Sequence, residues 1–123
     1  MSETHLINID LEVESKEDID SLVRELESKL HLMTHHNCHG IIRAGFEASG
    51  LGVEEIILSY ILAIETLTAD AKKQWNKCLT RDFNFGFQAG ETPNGYEKQI
   101  SLGVLESIAS VGGQIVITIY PKN

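Results

Sequence analysis

The chain has 123 residues, with 42% apolar and 23% charged side chains, and carries 18 acids against 10 lysines and arginines for a formal charge of −8. That is the size and composition of one globular domain with one core, and the negative field disfavours nucleic acid, whose non-specific affinity comes mostly from lysine and arginine contacts with phosphates. The longest apolar-rich run, Val53 to Ile64, is interrupted by Glu54, Glu55 and Ser59 and is too short to span a bilayer, and Met1 to His5 lacks the basic and apolar regions of a signal peptide, so a cytoplasmic protein without membrane contact is expected.

The first element is a strand. From Ile7 to Glu14 apolar and polar residues alternate strictly, so Ile7, Ile9, Leu11 and Val13 face a core while Asn8, Asp10, Glu12 and Glu14 line the opposite face. A helix is expected next, with Ser15 as its cap and Asp18 at the capping-box position. Ile19, Leu22, Val23, Leu26 and Leu30 form its buried stripe. Thr34 to Gly40 reads as a polar turn and Ile41 to Ala48 as a strand. Gly50-Leu51-Gly52 suggests a reversal. The Ile- and Leu-rich segment 53–65 is compatible with a strand or a buried helix, and its β-branched residues favour the strand.

A second helix starts at Thr68, with Leu67, Ala71, Trp75, Cys78 and Leu79 on its apolar side. Phe83, Phe85 and Phe87 alternate with polar or small residues, as in a strand with one aromatic core face. Pro93-Asn94-Gly95 marks a loop. Ser101 caps a third helix that points Leu102, Leu105, Ile108 and Ala109 inward, and Gly112-Gly113 ends it. Gln114 to Tyr120 is a strand apolar on nearly both faces, which suits the middle of a sheet or a place under a helix. The order β-α-β-β-α-β-α-β predicts a single α+β domain over residues 1–123, with a mainly antiparallel or mixed sheet of about five strands and three helices.

Chemistry is sparsely signalled. His31, His35, His36, Cys38 and His39 are of the types zinc prefers, and His31 and His35 at helical i, i+4 spacing would share an ion. However, there is no Cys-x-x-Cys pair and no acid in the place that a His-Glu-x-x-His motif needs. The cluster therefore supports a small zinc-binding protein or metal-dependent enzyme only as an alternative. No nucleophile elbow, Walker loop or full dinucleotide fingerprint occurs. Cys78 falls on an apolar helix face and reads as core. No catalytic residue, metal ligand or cofactor is assigned, and the chain is expected not to be an enzyme. The basic residues Lys72, Lys73, Lys77 and Arg81 cluster on or just after the second helix, where they read as a solvated face or partners of local acids.

Acid placement is the strongest signal. Residues 1–30 hold nine acids and three bases, a net −6 of the total −8. Three of the acids, Glu17, Asp18 and Asp20, are accounted for by a helix N-terminus, whose dipole favours anions. The stripe Asp10, Glu12 and Glu14 has no such account. A field of this kind attracts a basic protein. In size, acidity and element order, and in these six acids, the chain resembles the small acidic immunity proteins of bacterial contact-dependent growth inhibition and polymorphic toxin systems. The resemblance implies a non-catalytic protein that binds and neutralises a cognate basic toxin domain, often a nuclease, using Asp10, Glu12, Glu14, Glu17, Asp18 and Asp20. The remaining alternative is an accessory subunit of a larger complex or a homo-oligomer, joined through strand edges.

Overall fold

In the computed structural model, which describes residues 3–91 and 95–122, strand β1 (His5–Ser15) lies at the centre of a five-stranded sheet of order β2-β3-β1-β4-β5. Its alternation works as expected from Ile9 onward: Ile9, Leu11 and Val13 are at most 1% exposed, while the acids between them point the other way. Ile7, expected in the core, is 47% exposed, at a register shift between Leu6 and Asn8. β3 (Ile41–Glu47) and β4 (Thr80–Gln88) flank β1 antiparallel. β2 (His31–Cys38) pairs antiparallel with β3 at one edge, and β5 (Gln114–Tyr120) pairs parallel with β4 at the other. The sheet is therefore mixed.

Four helices, one more than expected, cover the face bearing Ile9, Leu11, Val13, Phe46, Phe83 and Phe85. They are α1 (Asp20–Glu27), α2 (Val53–Glu65), α3 (Ala69–Lys77) and α4 (Leu102–Ser110), packed as the pairs α1·α3 and α2·α4. Tyr60 ties this layer to the sheet. Its ring meets Phe83 edge-on at 5.9 Å, and its hydroxyl donates to the carbonyl of Ile9 at 2.6 Å, with the carbonyl of Phe46 at 3.1 Å. Trp75 Nε1 likewise donates to the carbonyl of Val111 at 2.8 Å, so the buried polar groups of both large aromatics are satisfied.

Several expectations are corrected. Segment 53–65 is helix α2, not a strand. Val53, Ile57, Tyr60, Ile61 and Ile64 recur at helical spacing, and Glu54 and Glu55 occupy the first turn, where the dipole favours them. The fifth strand is instead β2, which overlaps what reads as a polar turn. It is an edge strand whose residues are nearly all exposed, so it carries no apolar alternation. The actual turn is His39-Gly40, both at positive φ, the conformation of a tight hairpin. Ser15 is not a helix cap. It ends β1, and its Oγ accepts from the backbone N–H of Glu17 at 3.0 Å, while α1 begins five residues later. Thr68 and Ser101 do cap their helices, accepting from the N–H groups of Ala71 and Val104. Leu102, Leu105 and Ala109 point outward rather than inward, and Leu79 is exposed. β5 lies at the sheet edge, not in its interior. Pro93 and Asn94 of the expected loop lie outside the described residues.

Candidate partner-binding face

Among the described residues all four helices pack on one side and none lies over the other face of the sheet. Sheet register decides what gathers there. Asp10 stands between Glu47 of β3 and Asn84 of β4, Glu12 between Gly45 and Asp82, and Glu14 between Arg43 and Thr80. Two of these neighbours, Glu47 and Asp82, are acids that meet acids. Like charges directly opposite destabilise a strand pair by roughly 0.2–1 kcal/mol, so this face is not arranged for stability.

Side-chain bonds hold the charges in place. Arg43 Nε meets Glu14 Oε2 at 2.5 Å. Asn84 Nδ2 donates to Glu12 Oε1 at 3.1 Å, and Asn84 Oδ1 accepts from the Thr118 hydroxyl at 2.9 Å, linking β1, β4 and β5. Gln114 Nε2 donates to Asp82 Oδ1 at 2.6 Å. Asp10 is the exception: its Oδ1 is buried without a partner, and its Oδ2 has only Asn8 Nδ2 at 3.5 Å. Partial burial first, and then the charges of Glu12 and Glu47, push the Asp10 carboxyl up to about 6.

A shallow groove of about 310 Å³ runs beside these acids, lined by Glu12, Glu14, Thr34, His36, Arg43 and Asp82 among others. Gly45 opens it. A Cβ there would lie 2.9 Å from Thr34 Oγ1, closer than a real contact permits. The strand positions of this face carry five acids, no lysine and one arginine, and that arginine is already paired with Glu14.

The acids after β1 do different work. Asp18 Oδ1 accepts from the N–H of Asp20 at 2.9 Å, Glu17 lies 3.6 Å from Lys77 of α3, and Asp20 is the first residue of α1. They sit where the chain crosses from sheet to helix layer, in local contacts that stabilise the entry to α1. The six sequence-predicted residues thus divide into three on the open face and three at a helix start. Glu47 and Asp82, the acids that sequence reasoning missed, are single residues of otherwise unremarkable strands, and only the pairing of β3 and β4 with β1 brings them in.

The histidine cluster is dispersed. His31 and His35 lie on a strand rather than a helix. His31 pairs with Glu47 and His36 with Arg43 on the open face, His35 pairs with Ala44 on the opposite face, and His39 is in the turn. Among the described residues no group of three His, Cys, Asp or Glu side chains converges to hold a metal. Cys78 is buried, its Sγ donates to the carbonyl of Gln74 at 3.3 Å, and burial pushes its thiol up to about 11, the opposite of an activated nucleophile. The basic cluster is also partly engaged. Arg81 donates to the carbonyls of Trp75, Cys78 and Gly112, closing the C-terminal end of α3, where a cation suits the dipole.

No helix among the described residues is long and apolar enough to cross a membrane. Neither a family model, nor a curated protein, nor a solved structure matches the chain.

Proposed function

We propose that this chain is a non-catalytic binding protein that docks the open, acid-bearing face of its sheet onto a basic protein. In the cell it acts as an immunity protein, neutralising a cognate basic toxin domain of the nuclease type. The observation that supports the reading is the convergence of Asp10, Glu12, Glu14, Glu47 and Asp82 from three strands onto one uncovered face, with a single arginine among them. Fixed carboxylates on a rigid sheet offer a basic cleft the negative charge it would otherwise take from phosphates. They also steer encounter, with association rates up to the order of 10⁸–10⁹ M⁻¹s⁻¹ at low salt. Repulsion between Glu12 and Asp82, and between Asp10 and Glu47, is relieved when lysines or arginines arrive, so the strain in the free protein becomes affinity in the complex.

The test is affinity capture from the lysate of the cells that make the protein, run in parallel with the wild type and a Glu12→Lys/Asp82→Lys variant. The expected result is one basic protein held near stoichiometry by the wild type through a high-salt wash and lost by the variant. Equal retention on both baits, or only a salt-labile mixture of basic proteins, overturns the reading.

A further inference from the structure

Two edges terminate the sheet, and only one is protected. β2 carries a register shift between Leu32 and Thr34, a bulge of the kind that blunts an edge. β5, Gln-Ile-Val-Ile-Thr-Ile-Tyr, has no charge, no proline and no bulge, and its Ile117 and Ile119 are 58% and 63% exposed. A long, flat, apolar edge is a template for another strand.

The backbone shows which groups are free. The carbonyl of Tyr120 accepts from the N–H of Ala89, just past β4, at 2.9 Å, so it points inward. Backbone groups of alternate residues point to opposite sides of a strand. The N–H and C=O groups of Ile115, Ile117 and Ile119 therefore point out of the sheet, three donors and three acceptors in an even row.

The helix layer extends this edge. On α4, Gly103, Val104 and Ser107 share a cleft with Glu54, Ile57 and Leu58 of α2. The flank on the other side of α4, away from α2, bears Leu105 and Ala109, with Leu102 beside them. Leu102 is 70% and Leu105 41% exposed. They lie on the same layer of the molecule as Ile117 and Ile119, which share the sheet face of the buried Phe83 and Phe85.

We propose that this surface binds a second copy of the chain. The two β5 strands pair antiparallel about a two-fold axis normal to the sheet, giving one continuous ten-stranded sheet with both helix layers on the same side. Ile117 faces its own counterpart and Ile115 faces Ile119, so each outward donor meets an outward acceptor, the self-complementarity an isologous interface requires. Neutrality selects this partner. Copies with a net charge of −8 repel through most of their surface, whereas the β5 strand contributes no charge to the contact. Seven paired residues span about 23 Å. With the leucines of α4 packing across the axis, they supply the apolar centre of the roughly 800 Å² per partner found in standard interfaces. The inference is independent of the acidic face, which the two-fold leaves uncovered on both copies.

Sedimentation velocity over a concentration series, combined with amide hydrogen exchange, tests the proposal. A dissociation constant on the order of 1 μM makes the wild type dimeric at about 100 μM. In that state the outward amides of Ile115, Ile117 and Ile119 exchange slowly, and dilution exposes them. Ile119→Lys and Leu105→Lys change exposed side chains and leave the fold intact by circular dichroism. Each is expected to weaken the dimer at least about tenfold, while Glu12→Gln on the open face leaves it unchanged. A wild type that remains monomeric at about 100 μM, a dimer indifferent to both lysine variants, or fast exchange of the Ile117 amide within a dimer each overturns it, the last two by assigning association to another surface.

Discussion

The two faces of β1 share one backbone and obey opposite rules. On the helix side, Ile9, Leu11 and Val13 are excluded from water, and their cross-strand partners Phe85, Phe83, Phe46 and Ala44 are apolar, with Arg81 beside Val13 the one exception. On the open side, Asp10 and Glu12 stand beside further acids, and one carboxylate oxygen is buried without a partner. The first face explains why the chain folds. The second places like charges side by side, and sites where sequence works against the fold are where function is sought. The contrast also separates two kinds of acid. At the start of α1, Glu17 lies near Lys77, Asp18 accepts from a backbone N–H and Asp20 sits where the helix dipole favours an anion, whereas on the strand Asp10 and Glu12 stand directly beside further acids.

Substitutions on the two faces are expected to differ most in stability. Phe83→Ala removes a fully buried ring in contact with Tyr60 and is expected to cost about 3–5 kcal/mol in urea unfolding. Glu12→Gln, on the open face, should stay within about 0.5 kcal/mol. Equal losses would mean that the open face is a second core surface rather than a docking surface.

Asp10 gives a smaller effect with a definite sign. Its folded carboxyl titrates near 6, above the ordinary 3.8, so the folded state holds the proton more tightly. The stabilisation from that proton is fully present below about pH 4 and is lost as pH rises through 6. Asp10→Asn should therefore exceed the wild type in stability at pH 8 by about 1 kcal/mol, a figure reduced for the solvent that still screens the group. The advantage should vanish near pH 4. Denaturant midpoints measured across this range would show it, and a pH-independent difference would contradict the account of Asp10.

The smallest change is expected at the one neutralised acid. Arg43→Ala breaks the pair with Glu14, in which both side chains retain solvent contact, and should cost less than about 1 kcal/mol in thermal or urea unfolding. Freed of its partner, Glu14 adds charge to the face, so the same variant should bind a basic partner faster rather than slower.

Much of this organisation was legible in the sequence. The alternation of β1, the phenylalanine strand, the caps Thr68 and Ser101 and the α+β class follow from periodicity and local chemistry. Segment 53–65 did not, because the exposed side of the helix carries Leu58 and Leu62, so the segment is apolar nearly all round and loses the stripe that distinguishes it from a strand. β2 was hidden for the opposite reason: an exposed edge strand needs no apolar face. The open-face stripe of Asp10, Glu12 and Glu14 was visible, but its completion by Glu47 and Asp82 depends on non-local register, which no short window contains. The edge position of β5 was not legible, because an edge strand with the composition of an interior one is indistinguishable in sequence from a central strand.

The most direct test of the central claim is the association rate of the captured basic partner, measured by surface plasmon resonance from low to physiological salt. Wild type is compared with Glu12→Lys/Asp82→Lys and with Glu17→Lys/Asp18→Lys. The account predicts that the sheet-face variant associates at least about tenfold more slowly at low salt and loses most of its salt dependence. The helix-start variant should change far less. Identical rates for wild type and the sheet-face variant, or a larger loss in the helix-start variant, would contradict it.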